Sequence, residues 1–88
     1  MPKPEIRQSD IVSVSCGKNV IITKPSNLYG CYLGDDTFVG PFVEIQKNVK
    51  VGKGTRIQSH TFICEMVVIG EFCTISHGVM FINDFQNQ

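Results

Sequence analysis

The chain has 88 residues, 42% of them apolar, which fits one small domain. At this size a single hydrophobic core is barely sufficient to stabilise a fold. Eight basic residues balance eight acidic ones, which argues against a nucleic-acid-binding surface, and no Lys/Arg cluster favours an anionic membrane. The sequence contains neither the apolar core of a signal peptide nor an apolar run long enough to cross a bilayer. We therefore expect a cytoplasmic protein.

The first third of the chain contains a weak six-residue spacing of apolar residues. Residues 1–10 are rich in proline and charge, and we expect an N-terminal arm or cap with little regular structure there. Apolar residues then recur at Cys16, Ile22 and Leu28, but the next one follows after five residues instead of six. This slip predicts one coil that is a residue short, with an irregular corner near Tyr29–Tyr32.

From Leu33 onward the six-residue period is regular. The first position of every hexad is apolar: Leu33, Val39, Ile45, Val51, Ile57, Ile63, Ile69, Ile75 and Phe81. The fifth position is small or β-branched: Thr37, Val43, Val49, Thr55, Thr61, Val67, Cys73 and Val79. An amphipathic helix does not fit this pattern. With 3.6 residues per turn, apolar residues spaced six apart would not lie on one face of a helix.

Within each hexad, positions one, three and five share the face of a short strand, and Gly or Asx residues mark a turn. Three hexads make one triangular coil, so residues eighteen apart stack at about 4.8 Å, the spacing of paired strands. We predict an all-β fold, a single-stranded parallel β-helix of about four coils without a C-terminal helix. Residues 11–88 would form this hexapeptide-repeat domain.

Stacking also predicts which side chains share the outer surface. One column contains Phe42, His60 and Gly78, and a neighbouring one contains Glu44, Phe62 and Met80. Phe42, Phe62 and Met80 would therefore form an exposed apolar strip, which is typical of a subunit interface. A homo-oligomer would also support so small a core. The alternative is that these side chains fold over the corners of their own coil.

Two histidines are candidates for catalysis. His60 and His77 are seventeen residues apart, so they should lie near the same edge on adjacent coils. An imidazole there could act as general base toward a substrate amine. The alternative is a pair of surface histidines that bind turn backbone. Glu65 and Asn83 also stack, with Asp84 beside Asn83, and could orient a substrate hydroxyl or amine, although such residues more often support turns.

The cysteines favour neither a disulfide framework nor a metal site. Without a secretion signal, we expect Cys16, Cys31, Cys64 and Cys73 to be buried free thiols. No CxxC or HxxxH spacing is present, and Cys64 should lie on a different side from His60. We therefore predict that no metal is bound.

The segments GPFVEIQ, IQSHTFICE and ISHGVMFIND carry a resemblance to a known family. Residues 27–84 resemble the left-handed β-helix hexapeptide-repeat acyltransferases, and most closely those that N-acylate nucleotide-linked sugars. The resemblance implies a left-handed coil and a homotrimer that binds acyl-CoA (acetyl-CoA) and a sugar nucleotide in clefts between subunits. It also implies that His60, His77, Asn83 and Asp84 lie at or near the acceptor site.

This chain departs from the resemblance after Asp84, because relatives continue with further coils that form much of the CoA groove. Two hypotheses follow. One is an acyl-CoA-dependent N-acyltransferase acting on an amino sugar, with a reduced donor site. The other is a non-catalytic trimeric β-helix, either a scaffold or a remnant of a longer acyltransferase. An ice-binding solenoid ranks last, because Thr37, Thr55 and Cys73 make only a broken, inward-facing ladder.

Overall fold

The computed structural model describes residues 2–7 and 10–82. The regular structure in these residues consists of short β-strands. They are β1 Ile11–Val12, β2 Ser15–Cys16, β3 Ile21–Ile22, β4 Asn27–Tyr29, β5 Tyr32–Leu33, β6 Phe38–Val39, β7 Glu44–Ile45, β8 Lys50–Val51, β9 Arg56–Ile57, β10 Phe62–Ile63, β11 Val68–Ile69, β12 Thr74–Ile75 and β13 Met80–Phe81. This part of the chain contains no helix long and apolar enough to span a bilayer.

The strands form three parallel sheets, which are the three faces of a prism. Face A has the order β1-β4-β7-β10-β13, face B the order β2-β5-β8-β11, and face C the order β3-β6-β9-β12. Each strand pairs with the strand three further along, so the chain visits the faces in turn and climbs one coil per circuit. The prediction of an all-β, single-stranded parallel β-helix of about four coils is confirmed. Its left-handed sense stays a prediction from the resemblance.

The coils differ in length by one residue. Tyr32 pairs with Lys50, eighteen residues on, as the hexad count requires. In the coil before it, Ser15 pairs with Tyr32, only seventeen residues on. The missing residue lies in the predicted irregular corner, where Gly30 has a φ of +66°. A Cβ at Gly30 would lie 3.0 Å from the Cβ of Lys47, so the tight corner favours glycine there.

The core is the column of first-position side chains. The most buried of them are Leu28, Leu33, Val39, Ile45, Val51, Ile57 and Ile63, each at most 1% exposed. Fifth positions fill the remaining space, and their threonines donate to backbone carbonyls: Thr37 to Gly34 at 3.0 Å and Thr55 to Gly70 at 2.7 Å. These bonds compensate for burying a hydroxyl. Ile75 and Phe81 are only half-buried, because they line the last described coil.

Most hexads turn at the fourth residue with a positive φ. Corner 1, between faces A and B, contains Ser13, Gly30, Asn48 and Met66 at this position. Corner 2, between faces B and C, contains Asn19, Asp36, Gly54 and Phe72. Corner 3, between faces C and A, contains Phe42, His60 and Gly78, with the cis Lys24–Pro25 peptide in the coil before them. Positive φ is ordinary for Gly, Asn, Asp and His, but uncommon for Phe and Met.

Residues 2–7 precede the coils and form no strand. Their exposed side chains include the ion pair of Arg7 and Glu5, 2.6 Å between Nε and Oε2. Asp10 accepts an ion pair from Lys24 at 2.8 Å, next to the start of β1. The division into an arm of residues 1–10 and a domain of residues 11–88 stays a prediction.

The expectation of buried thiols is only partly correct. All four cysteines are free, but only Cys31 is buried. Cys16 is exposed, while Cys64 and Cys73 are half-buried. Residues near either end of the described β-helix have a neighbouring coil on one side only, which leaves them more exposed. Burial of Cys31 in apolar surroundings raises the pKa of its thiol to about 11.

Candidate functional site

Corner 3 brings the two histidines to one edge of the prism. His60 is the fourth residue of its hexad, and its N–H donates to the carbonyl of Phe42 at 3.0 Å. His77 is the third residue of the corresponding hexad one coil later, and the N–H of Gly78 donates to the carbonyl of Ser59 at 3.1 Å. These backbone hydrogen bonds stack the turns. The two imidazoles therefore lie on the same corner in successive coils, where their spacing places them.

Both imidazoles are exposed, and each contacts a residue of its own corner. The ring of His60 stacks on the ring of Phe42, with centroids 5.2 Å apart and an interplanar angle of 24°. Nδ1 of His77 lies 2.9 Å from Oγ of Ser59, and the donor depends on the tautomer. When Nδ1 of His77 donates to Ser59, its Nε2 has the lone pair and can accept a proton from an external group.

An apolar strip extends from this corner onto face A. It consists of Phe42, Phe62 and Met80, the residues expected at a subunit interface. Phe62 pairs with Met80 in β13 on one side and with Glu44 in β7 on the other. Phe42 is 56% exposed and Met80 70%, whereas Phe62 is half-buried between its neighbours. We call these three residues the face A strip.

Glu65 does not join the histidines. It lies in corner 1, on the opposite edge of face A, where its N–H donates to Oε1 of Gln46 at 3.1 Å. Gln46 in turn donates to Glu44 at 3.1 Å, so the segment is part of a hydrogen-bonded surface row. Asn83 and Asp84 lie outside the described residues. The structure thus brings together His60 and His77, and separates Glu65 from them by the width of one face.

A second apolar surface was not recognised in the sequence. Met66, Val68 and Phe72 are 57%, 73% and 71% exposed, and lie along β11 and its two flanking turns on face B. Nζ of Lys53 lies 5.8 Å from the ring centroid of Phe72. The hexad count contained the signal, since Val68 is a sixth position and Met66 and Phe72 are fourth positions. We call these three residues the face B patch.

Residues 2–7 and 10–82 enclose no pocket. In the same residues, no three His, Cys, Asp or Glu side chains lie together in a group that could hold a metal ion. The chemically useful groups of this part of the chain are therefore on open surface, at corner 3 and on faces A and B.

Comparison with known proteins links part of the chain to a family. Residues 30–65 match the family model described as bacterial transferase hexapeptide (six repeats). That segment of the chain is similar to the hexapeptide-repeat transferase family. Two curated relatives are the bifunctional protein GlmU of Xylella fastidiosa strain M12 and that of strain 9a5c. Each is 35% identical over a 77-residue alignment, and the match covers 77% of this chain.

The resemblance to the hexapeptide-repeat transferases is thereby confirmed for residues 30–65. This hexapeptide-repeat chain spans only 16% of the length of those two relatives. No solved structure matches it.

Proposed function

We propose that this hexapeptide-repeat chain is part of an acyl-CoA-dependent N-acyltransferase that modifies the amino group of a nucleotide-linked sugar. Acetyl-CoA would be the donor, and the active form would be a homotrimer with its sites between subunits. The observation that carries the proposal is the pair of exposed imidazoles on corner 3, within the segments IQSHTFICE and ISHGVMFIND. These segments resemble the sugar N-acyltransferases of the hexapeptide family.

The reaction requires a neutral amine that attacks the thioester carbonyl. A proton leaves the amine as the new C–N bond forms, and the CoA thiolate departs and takes up a proton. His77 is suited to accept the amine proton at Nε2, because Ser59 can hold its Nδ1–H and so set the tautomer. His60, stacked on Phe42, would bind the acceptor sugar beside it. Asn83 and Asp84 remain candidates for binding the acceptor sugar. Glu65 would reach the substrate only from corner 1.

A non-catalytic trimeric scaffold is the second candidate. The contacts of the imidazoles favour it, because both rings already have partners in their own chain. Histidines that only support a corner would make the same contacts.

Product formation by the full chain separates the two candidates. We would incubate it with acetyl-CoA and a panel of UDP-linked and dTDP-linked amino sugars, and measure N-acetylated sugar by mass spectrometry. Acyl transfer predicts product with the wild type and a loss of about 100-fold to 10,000-fold in rate for His77→Asn. His60→Asn should mainly raise KM for the sugar.

The control is Thr74→Ala, an exposed change on face C, which should leave the rate unchanged. No product from any sugar, together with no heat of binding at millimolar acetyl-CoA, would reject the enzyme and favour the scaffold.

A further inference from the structure

Corner 3 contains a column of stacked rings that stops one coil early. Phe42, His60 and Gly78 occupy the same turn position in successive coils, with φ values of 59°, 63° and 76°. The ring centroids of Phe42 and His60 are 5.2 Å apart, close to the spacing of about 4.8 Å between paired strands. Because Phe42 lies one coil earlier, the opposite face of the imidazole is directed toward the coil of Gly78. There the column has no third ring.

The other two glycines with a positive φ are explained by crowding, whereas Gly78 is not. A Cβ on Gly30 would lie 3.0 Å from a side chain of the next coil, and one on Gly54 would clash with the ring of Phe72. A Cβ on Gly78 would have no atom of the described residues within 4 Å. The turn itself does not require glycine, since His60 makes it one coil earlier. We call this unfilled position of the column the open rung.

A second imidazole lies beside the open rung. His77 precedes Gly78 in the chain, and its Nδ1 lies 2.9 Å from Oγ of Ser59, the residue before His60. A flat group in the rung would therefore have the ring of His60 against its face and His77 at its rim. This arrangement suits a ring that carries a reactive group in its own plane.

We infer that the open rung holds the pyranose ring of the acceptor sugar, stacked on His60 as the next member of the column. The inference rests on the proposed function for its ligand, and it names the shape of the sugar that fits. Gly78 is the residue that determines specificity, because any side chain there would fill the rung. Phe42 is a positioning residue, since it supports the imidazole from the side away from the sugar.

The contact between the sugar and the imidazole depends on the C–H hydrogens of the sugar. An aromatic ring is negative on its face, so the weakly positive axial C–H hydrogens of a pyranose are attracted to it. Carbon atoms in contact lie about 3.5–4.0 Å apart, so one rung has the height that a single sugar ring needs. A second ring would not fit at the same rung.

The linkage to the nucleotide selects the configuration of the sugar. In an α-linked sugar nucleotide the diphosphate is axial on one face of the pyranose, which leaves the other face to stack. In the gluco configuration that other face presents only C–H hydrogens, whereas in the galacto configuration the axial hydroxyl at C4 projects from it. A hydroxyl pressed on the imidazole would lose water without gaining a hydrogen bond. We therefore expect a gluco-configured sugar whose equatorial amine lies in the plane of the ring, where His77 is at the rim.

Binding to the full chain tests the subsite without measuring acyl transfer. In a titration followed by ¹H–¹⁵N NMR, UDP-glucosamine should shift the amide signals of His60 and Gly78. UDP alone and UDP-galactosamine should each bind at these signals about tenfold more weakly. No shift of the Gly78 signal at about 10 mM UDP-glucosamine, or equal affinity for UDP alone, would overturn the subsite. Equal affinity for the galacto sugar would overturn the stacking on His60.

Filling the rung tests the role of Gly78. Gly78→Asn places a side chain in the rung, and Asn adopts a positive φ readily, so the turn is kept. This variant should weaken the binding of UDP-glucosamine about tenfold. Met66→Asn, at the same turn position of corner 1, is the matched control and should leave binding unchanged. Circular dichroism and a melting curve check that both variants fold, and wild-type affinity of folded Gly78→Asn would overturn the inference.

Removing a ring from each of two corners tests the support of the imidazole. Phe42→Asn leaves His60 without its stacking partner and should raise the dissociation constant of UDP-glucosamine about threefold. Phe72→Asn makes the same exchange at corner 2 and should change nothing. In the acyl-transfer assay, Phe42→Asn should raise KM for the sugar and leave kcat unchanged. Equal effects of the two exchanges would reject the positioning role of Phe42.

The subsite and the enzyme fail in different ways. Binding of UDP-glucosamine that Gly78→Asn weakens, without any N-acetylated product, would reject the enzyme and leave the subsite standing. Product formation with the same KM in the wild type and in Gly78→Asn would reject the subsite and leave the enzyme standing.

Discussion

The corners of the first coils and those of the last coils turn the chain in the same way with different residues. At corner 2 the early coils use Asn19 and Asp36, whose side chains hydrogen-bond at 3.2 Å from Nδ2 to Oδ1. The last described coil uses Phe72 at the same corner and Met66 at corner 1. Asn and Asp adopt a positive φ readily, whereas Met and Phe do so at a cost. These two late corners therefore turn the chain at a conformational cost that Asn19 and Asp36 avoid.

The largest expected effect comes from the core that both regions share. Ile57→Ala should lower the free energy of unfolding by about 2–5 kcal/mol, because Ile57 is fully buried in the first-position column. Urea denaturation measures the change. Thr74→Ala, at an exposed position on face C, should change stability by less than about 0.5 kcal/mol. Similar losses at both positions would contradict the inward orientation of the hexad's first residue.

A buried hydroxyl should give the next largest effect. Thr55 donates to the carbonyl of Gly70 at 2.7 Å and accepts from the N–H of Cys73 at 3.2 Å. Thr55→Val removes both bonds and should cost about 1–3 kcal/mol, because two backbone groups lose their partner. Thr74→Val, exposed on face C, is the matched control. A neutral Thr55→Val would show that water replaces the hydroxyl.

Exchanging residues between an early and a late corner tests the comparison directly. Met66 and Asn48 occupy equivalent positions in successive turns of corner 1. Met66→Asn should stabilise the single chain by about 1 kcal/mol, and Asn48→Met should destabilise it by a similar amount. Both are measured by urea denaturation at low protein concentration, so that contacts between chains do not contribute. Destabilisation by Met66→Asn would indicate that Met66 is supported within its own chain.

The smallest effect concerns the thiols. The pKa of Cys31 is raised to about 11 from 9.0, so its ionisation is less favourable in the folded state. Below pH 9 both states keep the proton; above it the unfolded state loses it first, and stability should fall as pH rises toward 11. At pH 8, iodoacetamide should label exposed Cys16 well before Cys31. Cys16→Ser should remove the fast-reacting site, and equal labelling rates would contradict the burial of Cys31.

The sequence placed His60 and His77 at one corner, as the structure does, but indicated only half of the exposed apolar surface. The catalytic role of the two histidines stays a prediction. His60 and His77 were found because one coil of eighteen residues carries one onto the next. The face B patch was missed, since Met66, Val68 and Phe72 lie at different hexad positions and form a patch only when two corners and one strand are combined. Glu65 was predicted to orient a substrate because it stacks with Asn83, and the structure places Glu65 one face away from the histidines.

The sequence by itself determined the coil, the inward column and the short corner, because each follows from the local six-residue spacing of apolar and turn residues. Only the tertiary structure decided which surfaces are exposed and adjacent. Whether Cys16 or Cys31 is buried depends on how many coils cover it, and which side chains share a corner depends on the stacking of residues far apart in the chain. Local spacing contains neither kind of information.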